Sequence, residues 1–199
     1  MKNLFSLLLF TFLSFAVYAQ GYKIGDKARD FDLKNIDGKM VSMNSMKDAK
    51  GFIVIFTCNH CPFSQVYENR IIELDKSYSP KGYKVIAINP NDAKIVPDDS
   101  YENMVINAKE KGFKFPYLHD ESQEVAAAYG ATRTPHVYIL ERDNKDYFVR
   151  YIGAIDNNSE DSDKADKKYV AEAVNALLGG KKVETPETKA IGCTIKWKK

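Results

Sequence analysis

The stretch Gly51-Phe52-Ile53-Val54-Ile55-Phe56-Thr57-Cys58-Asn59-His60-Cys61-Pro62-Phe63-Ser64 decides the reading of this chain. Residues 51–57 are apolar or β-branched with no alternation, the pattern of a central strand buried on both faces. Two thiols then stand two residues apart, and a helical pattern follows to about Tyr78, where Ser79-Pro80-Lys81-Gly82 stops it. Pro62 is tolerated in the first helical turn, where its missing N–H would have had no intrahelical partner. A C-x-x-C at a strand-to-helix junction is a dithiol redox motif. The helix N-terminus offers free N–H groups and partial positive charge, both of which favour a thiolate. Cys58 is therefore expected to be the nucleophile near neutral pH. Cys61, one turn further, is expected to close a Cys58–Cys61 disulfide.

The bulk numbers bound the rest. A chain of 199 residues suffices for one domain with its own core. The formal charge of +2 gives no pointer to nucleic acid. There is no Walker A loop or G-x-G-x-x-G, and the three histidines lack the pairing of a zinc site. Lys2, the apolar stretch Leu4 to Val17 and the small residues Val17 and Ala19 before Gln20 form a secretory signal peptide, residues 1–19. The stretch is short and polar residues follow at once, so no stable membrane insertion is expected after cleavage. The mature chain is expected outside the cytoplasm, in the periplasm, where disulfides persist. Cys58, Cys61 and Cys193 are its only cysteines, too few for a disulfide-stapled mini-domain, and the odd count leaves one without an obvious partner.

Along the chain, 22–180 reads as the folded domain and 181–199 as a tail docked on it. Turn signals at Gly25-Asp26 and Asp37-Gly38 flank a short hairpin. Tyr83 to Ile88 is the second core strand. Asp99 and Glu102 have capping-box spacing before a helix over about 101–111. Phe115 to Leu118 is extended, and Asp120 and Gln123 cap a helix that Gly130 ends. His136 to Glu141 and Tyr147 to Ile152 form a hairpin. Asp156 to Lys168 reads as a solvated loop, and Val170 to Leu178 keeps helical spacing. The first half implies right-handed parallel crossovers and the later strands pair antiparallel, giving one mixed central β-sheet with helices on both faces.

Thr134-Pro135, immediately before the strand at His136, carries the resemblance. The chain resembles the thioredoxin superfamily, in which a cis-proline before this strand packs against the C-x-x-C and the preceding backbone pairs with bound peptide. The resemblance implies an α/β thioredoxin-like fold, Pro135 as the cis-proline and Thr134 as the substrate-pairing residue. Gly25 to Phe31 and Phe115-Pro116-Tyr117-Leu118-His119-Asp120 are similar to the redoxin branch, which includes alkyl hydroperoxide reductase and other peroxiredoxins. CNHCP, TPH and the terminal GCTIKW together resemble an extracytoplasmic peroxiredoxin-like thioredoxin-family group, over residues 22–199.

The chain departs from these relatives in two places. The peroxiredoxin pattern P-x-x-x-T-x-x-C fits in neither register: Val54 and Cys58 precede Cys61 at the Pro and Thr positions, and Gly51 and Ile55 precede Cys58. Residues 51–57 also lack the buried carboxylate that takes the second cysteine's proton in thioredoxins, so such a base must come from elsewhere. His60, just before the second cysteine, resembles the arrangement in protein disulfide isomerase, where it stabilises the thiolate and makes the disulfide more oxidising. His119 and His136 are read as structural.

The resulting expectation is an extracytoplasmic thiol–disulfide oxidoreductase using Cys58 and Cys61, tuned by His60 and shaped by Pro135 and Thr134, with no cofactor and no metal. Its partners would be protein or small-molecule thiols and disulfides and a redox partner protein. Alternatives are a peroxiredoxin-like thiol peroxidase and a non-enzymatic thiol metallochaperone with soft ligands Cys58, Cys61 and Cys193. Cys193 has two readings. It is a third redox thiol near the motif, or, as preferred from the residues alone, an inert cysteine packed under Trp197.

Overall fold

The computed structural model describes residues 21–199; the leader expected at 1–19 lies outside the described residues. The lead-in forms three short strands, β1 (Lys27–Ala28), β2 (Leu33–Asn35) and β3 (Met40–Val41). β2 and β3 pair antiparallel around Gly38, which turns at φ +82°. The run that opened the reading is β4 (Gly51–Phe56), buried throughout. Phe52, Val54 and Phe56 join one apolar cluster, and Ile53 and Ile55 join the other. Both faces are covered, which is why the strand shows no polar alternation.

α1 (Pro62–Tyr78) follows, and a 3₁₀ turn ends at Gly82, φ +98°. β5 (Tyr83–Asn89) then pairs parallel to β4. α2 (Tyr101–Lys111) leads to β6 (Tyr117–His119), parallel to β5, and then to α3 (Glu124–Tyr129). β7 (Arg133–Thr134) precedes the antiparallel pair β8 (His136–Asp143) and β9 (Asp146–Gly153). α4 (Tyr169–Leu178) and β10 (Cys193–Thr194) complete the chain. Among the described residues the main sheet has eight strands in the order β1-β9-β8-β4-β5-β6-β2-β3. α1, α2 and α4 cover one face through residues such as Ile71, Met104 and Val174. α3 covers the other with Val125, Ala126 and Tyr129, beside the lead-in residues Phe31 and Leu33.

Two caps differ from the sequence expectation. Ser100, not Asp99, caps α2 by accepting from the Asn103 N–H. Asp99 is thereby released from helix capping and turns inward, fully buried. Gln123 precedes α3 at φ +64° and makes no capping bond; the Asp120 carboxylate accepts from the Ala126 N–H at 2.7 Å instead. The loop beginning at Asp156 is not wholly solvated either. Asp156 is buried, paired with Arg70 at 2.7 Å, and accepts from the Tyr67 hydroxyl at 2.9 Å.

The chain after α4 is held against the domain in two stages. Thr188 donates its N–H to Ile152 O, and the Ile152 N–H bonds Pro186 O, both at 2.9 Å. Gly153 leaves no room for a Cβ there, which would stand 2.1 Å from Thr188 Oγ1. Further on, β10 pairs antiparallel with β7, Cys193 opposite Thr134 and Thr194 opposite Arg133. Ile195 is buried in the α3-side cluster.

Candidate active site

β4 delivers the dithiol segment to the end of the sheet and α1 carries it away. Cys61 is the N-cap of α1 and Pro62 stands in the first turn. Cys58 lies three residues before that cap, in a loop fixed by its neighbours. Asn59 donates to Asp98 O at 2.9 Å and accepts from the Tyr117 hydroxyl at 2.9 Å, and Gln65 donates to Asn59 O at 2.8 Å. The Thr134–Pro135 peptide is cis and lies against both motif sulfurs. Cys58 Sγ is 3.2 Å from Thr134 Oγ1, and Cys61 Sγ is 3.4 Å from Thr134 O.

The sulfur connectivity corrects the expected Cys58–Cys61 pair. Cys61 is bonded to Cys193, with Cα atoms 6.1 Å apart, and Cys58 is the free thiol. The spacing suits a bridge, which needs Cα atoms within about 7 Å. Cys193 is therefore not an inert thiol under Trp197, which is itself 40% exposed. The β10–β7 pairing sets Cys193 opposite Thr134, whose carbonyl touches the Cys61 sulfur.

The environment of Cys58 also differs from the expectation. Cys58 is 3% exposed and Cys61 fully buried, so neither sulfur is open to solvent. Burial pushes the Cys58 thiol above its ordinary range, and the Asp99 charge adds to the rise. Hydrogen bonds with Thr134 and Ser64 act the other way without cancelling it. In this form Cys58 is held as a thiol rather than as the thiolate that helix proximity alone would favour.

His60 is half-buried and engages Asp99, with Nδ1 2.5 Å from Oδ2. Asp99 accepts further bonds from the Asn59 N–H at 2.7 Å, the His60 N–H at 3.2 Å and Asn91 Nδ2 at 2.7 Å. A carboxylate can only accept, so Nδ1 donates to Asp99 and Nε2 is the ring nitrogen outside this pair. Among the described residues, donor atoms of Cys58, His60 and Asp99 lie within 4.8 Å of one another. That trio could hold a metal by composition. However, the Asp99 oxygens are already spent on four donor groups of Asn59, His60 and Asn91, and the set makes a poor cage as it stands.

The acids buried near the motif come from outside residues 51–57, and both stand on the Cys58 side. Glu68 of α1 is buried and lines a cavity of about 10 Å³ shared with Cys58, Asn107 and Tyr117. It pairs with Lys111 at 2.7 Å and accepts from Asn107 at 3.3 Å. Asp99 is the second buried acid. The sequence reading treated it as a cap, although the better N-cap, Ser100, stood beside it. His136 and His119 stay outside the thiol site. His136 packs on the Tyr138 ring at 4.9 Å, and burial together with Arg133 pulls it down to about 4.

Fold and thiol set together define a thioredoxin-like oxidoreductase of the redoxin branch. Residues 24–152 match the AhpC/TSA family, and the chain belongs to that family. It is 28% identical over 126 residues to thiol-disulfide oxidoreductase ResA of Bacillus thuringiensis strain Al Hakam; the alignment covers 62% of this chain and 66% of that protein. A solved structure of an uncharacterized conserved protein from Geobacillus kaustophilus superposes with TM-score 0.82 at 39% identity, over 90% of this chain and 94% of the other. A putative thiol:disulfide interchange protein DsbE from Chlorobium tepidum superposes with TM-score 0.61 at 20% identity, over 79% and 99%, and shares the fold.

Proposed function

We propose that this chain is an extracytoplasmic thiol–disulfide oxidoreductase in which Cys58 attacks, Cys61 resolves and Cys193 is a third redox thiol. The observation that carries the reading is the meeting of all three cysteines at one residue. Thr134 touches the Cys58 sulfur through its hydroxyl and the Cys61 sulfur through its carbonyl, and stands opposite Cys193 in the β7–β10 pair. With the thiols reduced, Cys58 thiolate attacks a substrate disulfide to form a mixed disulfide, and Cys61 then attacks Cys58 Sγ, releasing the reduced substrate and leaving a Cys58–Cys61 disulfide; in reverse, a substrate thiolate attacks Cys58 of that disulfide, Cys61 leaves, and the second substrate thiol closes the substrate disulfide. Pro135 and Thr134 shape the edge on which the partner chain lies, and His60, held by Asp99, faces the thiol as a proton carrier. The leader reading of 1–19 and the presence of a disulfide both support an oxidising compartment such as the periplasm.

The test is exchange with a small disulfide such as oxidised glutathione. Cys58→Ser abolishes it, and Cys61→Ser accumulates a mixed disulfide on Cys58. Exchange that survives in Cys58→Ser rejects the assignment. Family membership and a lone thiol bonded by Thr134 and Ser64 favour peroxide reduction as the second reading. Loss of added peroxide in the presence of the reduced protein, abolished by Cys58→Ser, would select it.

A further inference from the structure

The tail does more than end the chain. Its strand lies along β7 at Thr134, whose hydroxyl and carbonyl touch the two motif sulfurs, and its cysteine is joined to the motif. Resting on the redox reading above, we propose that Gly192–Lys196 is an internal substrate, latched by Cys61–Cys193. The edge it covers takes an extended polypeptide with glycine before its cysteine and an aliphatic residue two positions after it.

The fit is built on both sides. The backbone pairs as an added strand, Cys193 with Thr134 and Thr194 with Arg133, and the Ile195 N–H reaches Thr132 O at 3.2 Å. Gly192 lies so close over the Thr134–Pro135 peptide that a Cβ would stand 2.1 Å from Thr134 O and 3.0 Å from Pro135 N. No other residue fits that position without displacing backbone. Arg133 Nη1 donates to Gly192 O at 2.8 Å. Two residues past the cysteine, Ile195 is 4% exposed. Beyond it, Lys196 is held at both backbone groups: its N–H by Asn91 Oδ1 at 2.9 Å, and its carbonyl by the Asp92 N–H at 2.9 Å and Gln123 Nε2 at 2.8 Å. Gln123 also accepts from the Lys198 N–H at 2.7 Å. It keeps an uncommon positive φ for a non-glycine residue, and its buried amide is directed to this chain.

The latch needs no outside redox agent to change hands. Cys58 thiolate attacks Cys61 Sγ; the Cys61–Cys193 bond breaks and a Cys58–Cys61 bond forms. Cys193 leaves as a thiolate and takes up the proton lost by Cys58. One disulfide exists before and after, and the tail is then held by noncovalent contacts alone. Thr188 stays anchored to β9, so the segment that swings free begins after it. A tethered occupant acts at an effective concentration in the mM range, about a thousandfold above a μM free peptide. The covalent latch removes even that competition.

The probe is a fluorescein-labelled peptide of residues 190–197 with serine in place of its cysteine, read by anisotropy on the mature chain. Oxidised wild type binds about tenfold or more weakly than Gly192→Val, in which the tail cannot seat, and reduction of wild type strengthens binding. A probe with valine for its glycine, or aspartate for its isoleucine, binds neither form. Equal affinity of the parent probe for oxidised wild type and Gly192→Val overturns the proposal, as does binding of the altered probes. If Gly192→Val does not fold, hydrogen exchange of amides 194–198 in wild type decides. Protection falls about tenfold or more when the disulfide is reduced, and unchanged protection overturns the latch. Glutathione exchange run in parallel separates the two levels. Cys58-dependent exchange with tail-independent peptide binding refutes the latch alone. Absence of exchange refutes the redox reading.

Discussion

Cys193→Ser tests the sulfur connectivity through stability. The bridge joins residues 132 positions apart. In the loop-closure picture a ring of that size removes about 5 kcal/mol of chain entropy from the unfolded state, and natural disulfides usually deliver about 2–4 kcal/mol. With the substituted chain kept reduced, Cys61 remains a buried thiol, which behaves as a small apolar group and adds little cost. For a 199-residue chain each kcal/mol is worth about 2–4 °C, so the melting midpoint should fall by about 5–15 °C. The assay is thermal unfolding of oxidised wild type, reduced wild type and Cys193→Ser, with Cys58→Ser as a control that keeps the bridge. Reduced wild type should melt close to Cys193→Ser, and the control should stay responsive to reductant. Alkylation under denaturing, non-reducing conditions adds a second check: Cys58 alone is free to react. If oxidised wild type and Cys193→Ser melt together, or if labelling without reductant falls mainly on Cys61 or Cys193 rather than on Cys58, the connectivity argument is wrong.

Three further outcomes are expected. Asp99→Asn removes a charge that raises the Cys58 thiol, so the midpoint of its alkylation rate against pH should move to lower pH; a midpoint that stays or rises refutes the electrostatic role. His136, pulled from 6.5 to about 4, stays neutral in the fold while the unfolded chain protonates. Its stabilising contribution is therefore complete above about pH 6.5 and is lost as pH falls through about 4, a swing of about 3 kcal/mol that His136→Gln should remove from the denaturation profile. Asp156→Ala leaves Arg70 buried without its partner, its side chain only 12% exposed, and should cost about 3–5 kcal/mol in urea unfolding; a loss below about 1 kcal/mol would mean that Arg70 finds water instead.

The sequence by itself determined the parts governed by local pattern. Seven residues without alternation suit a strand covered on both faces, and six of them form β4. Stop signals placed the ends of α1 and α3, because Gly82 and Gly130 occupy left-handed positions that glycine adopts at least cost. C-x-x-C followed by Thr-Pro at a strand start carried the thioredoxin-like reading, since strand, turn and helix are encoded within a few neighbouring residues. Where two local solutions competed, the pattern misled. Asp99 and Ser100 both suit a cap; Ser100 took it, and Asp99 went to His60. The partner of Cys61 lay outside any local rule. Cys58, three positions before Cys61, is the obvious mate by spacing, but a bridge is chosen by the distance and direction of Cα–Cβ vectors. Those are set when β10 crosses β7 and brings Cys193 from 132 residues away to 6.1 Å. Packing likewise decided the burial of Cys58 and hence the direction in which its thiol is shifted. Helix proximity can be read in a sequence, whereas the water a side chain loses depends on every segment packed around it.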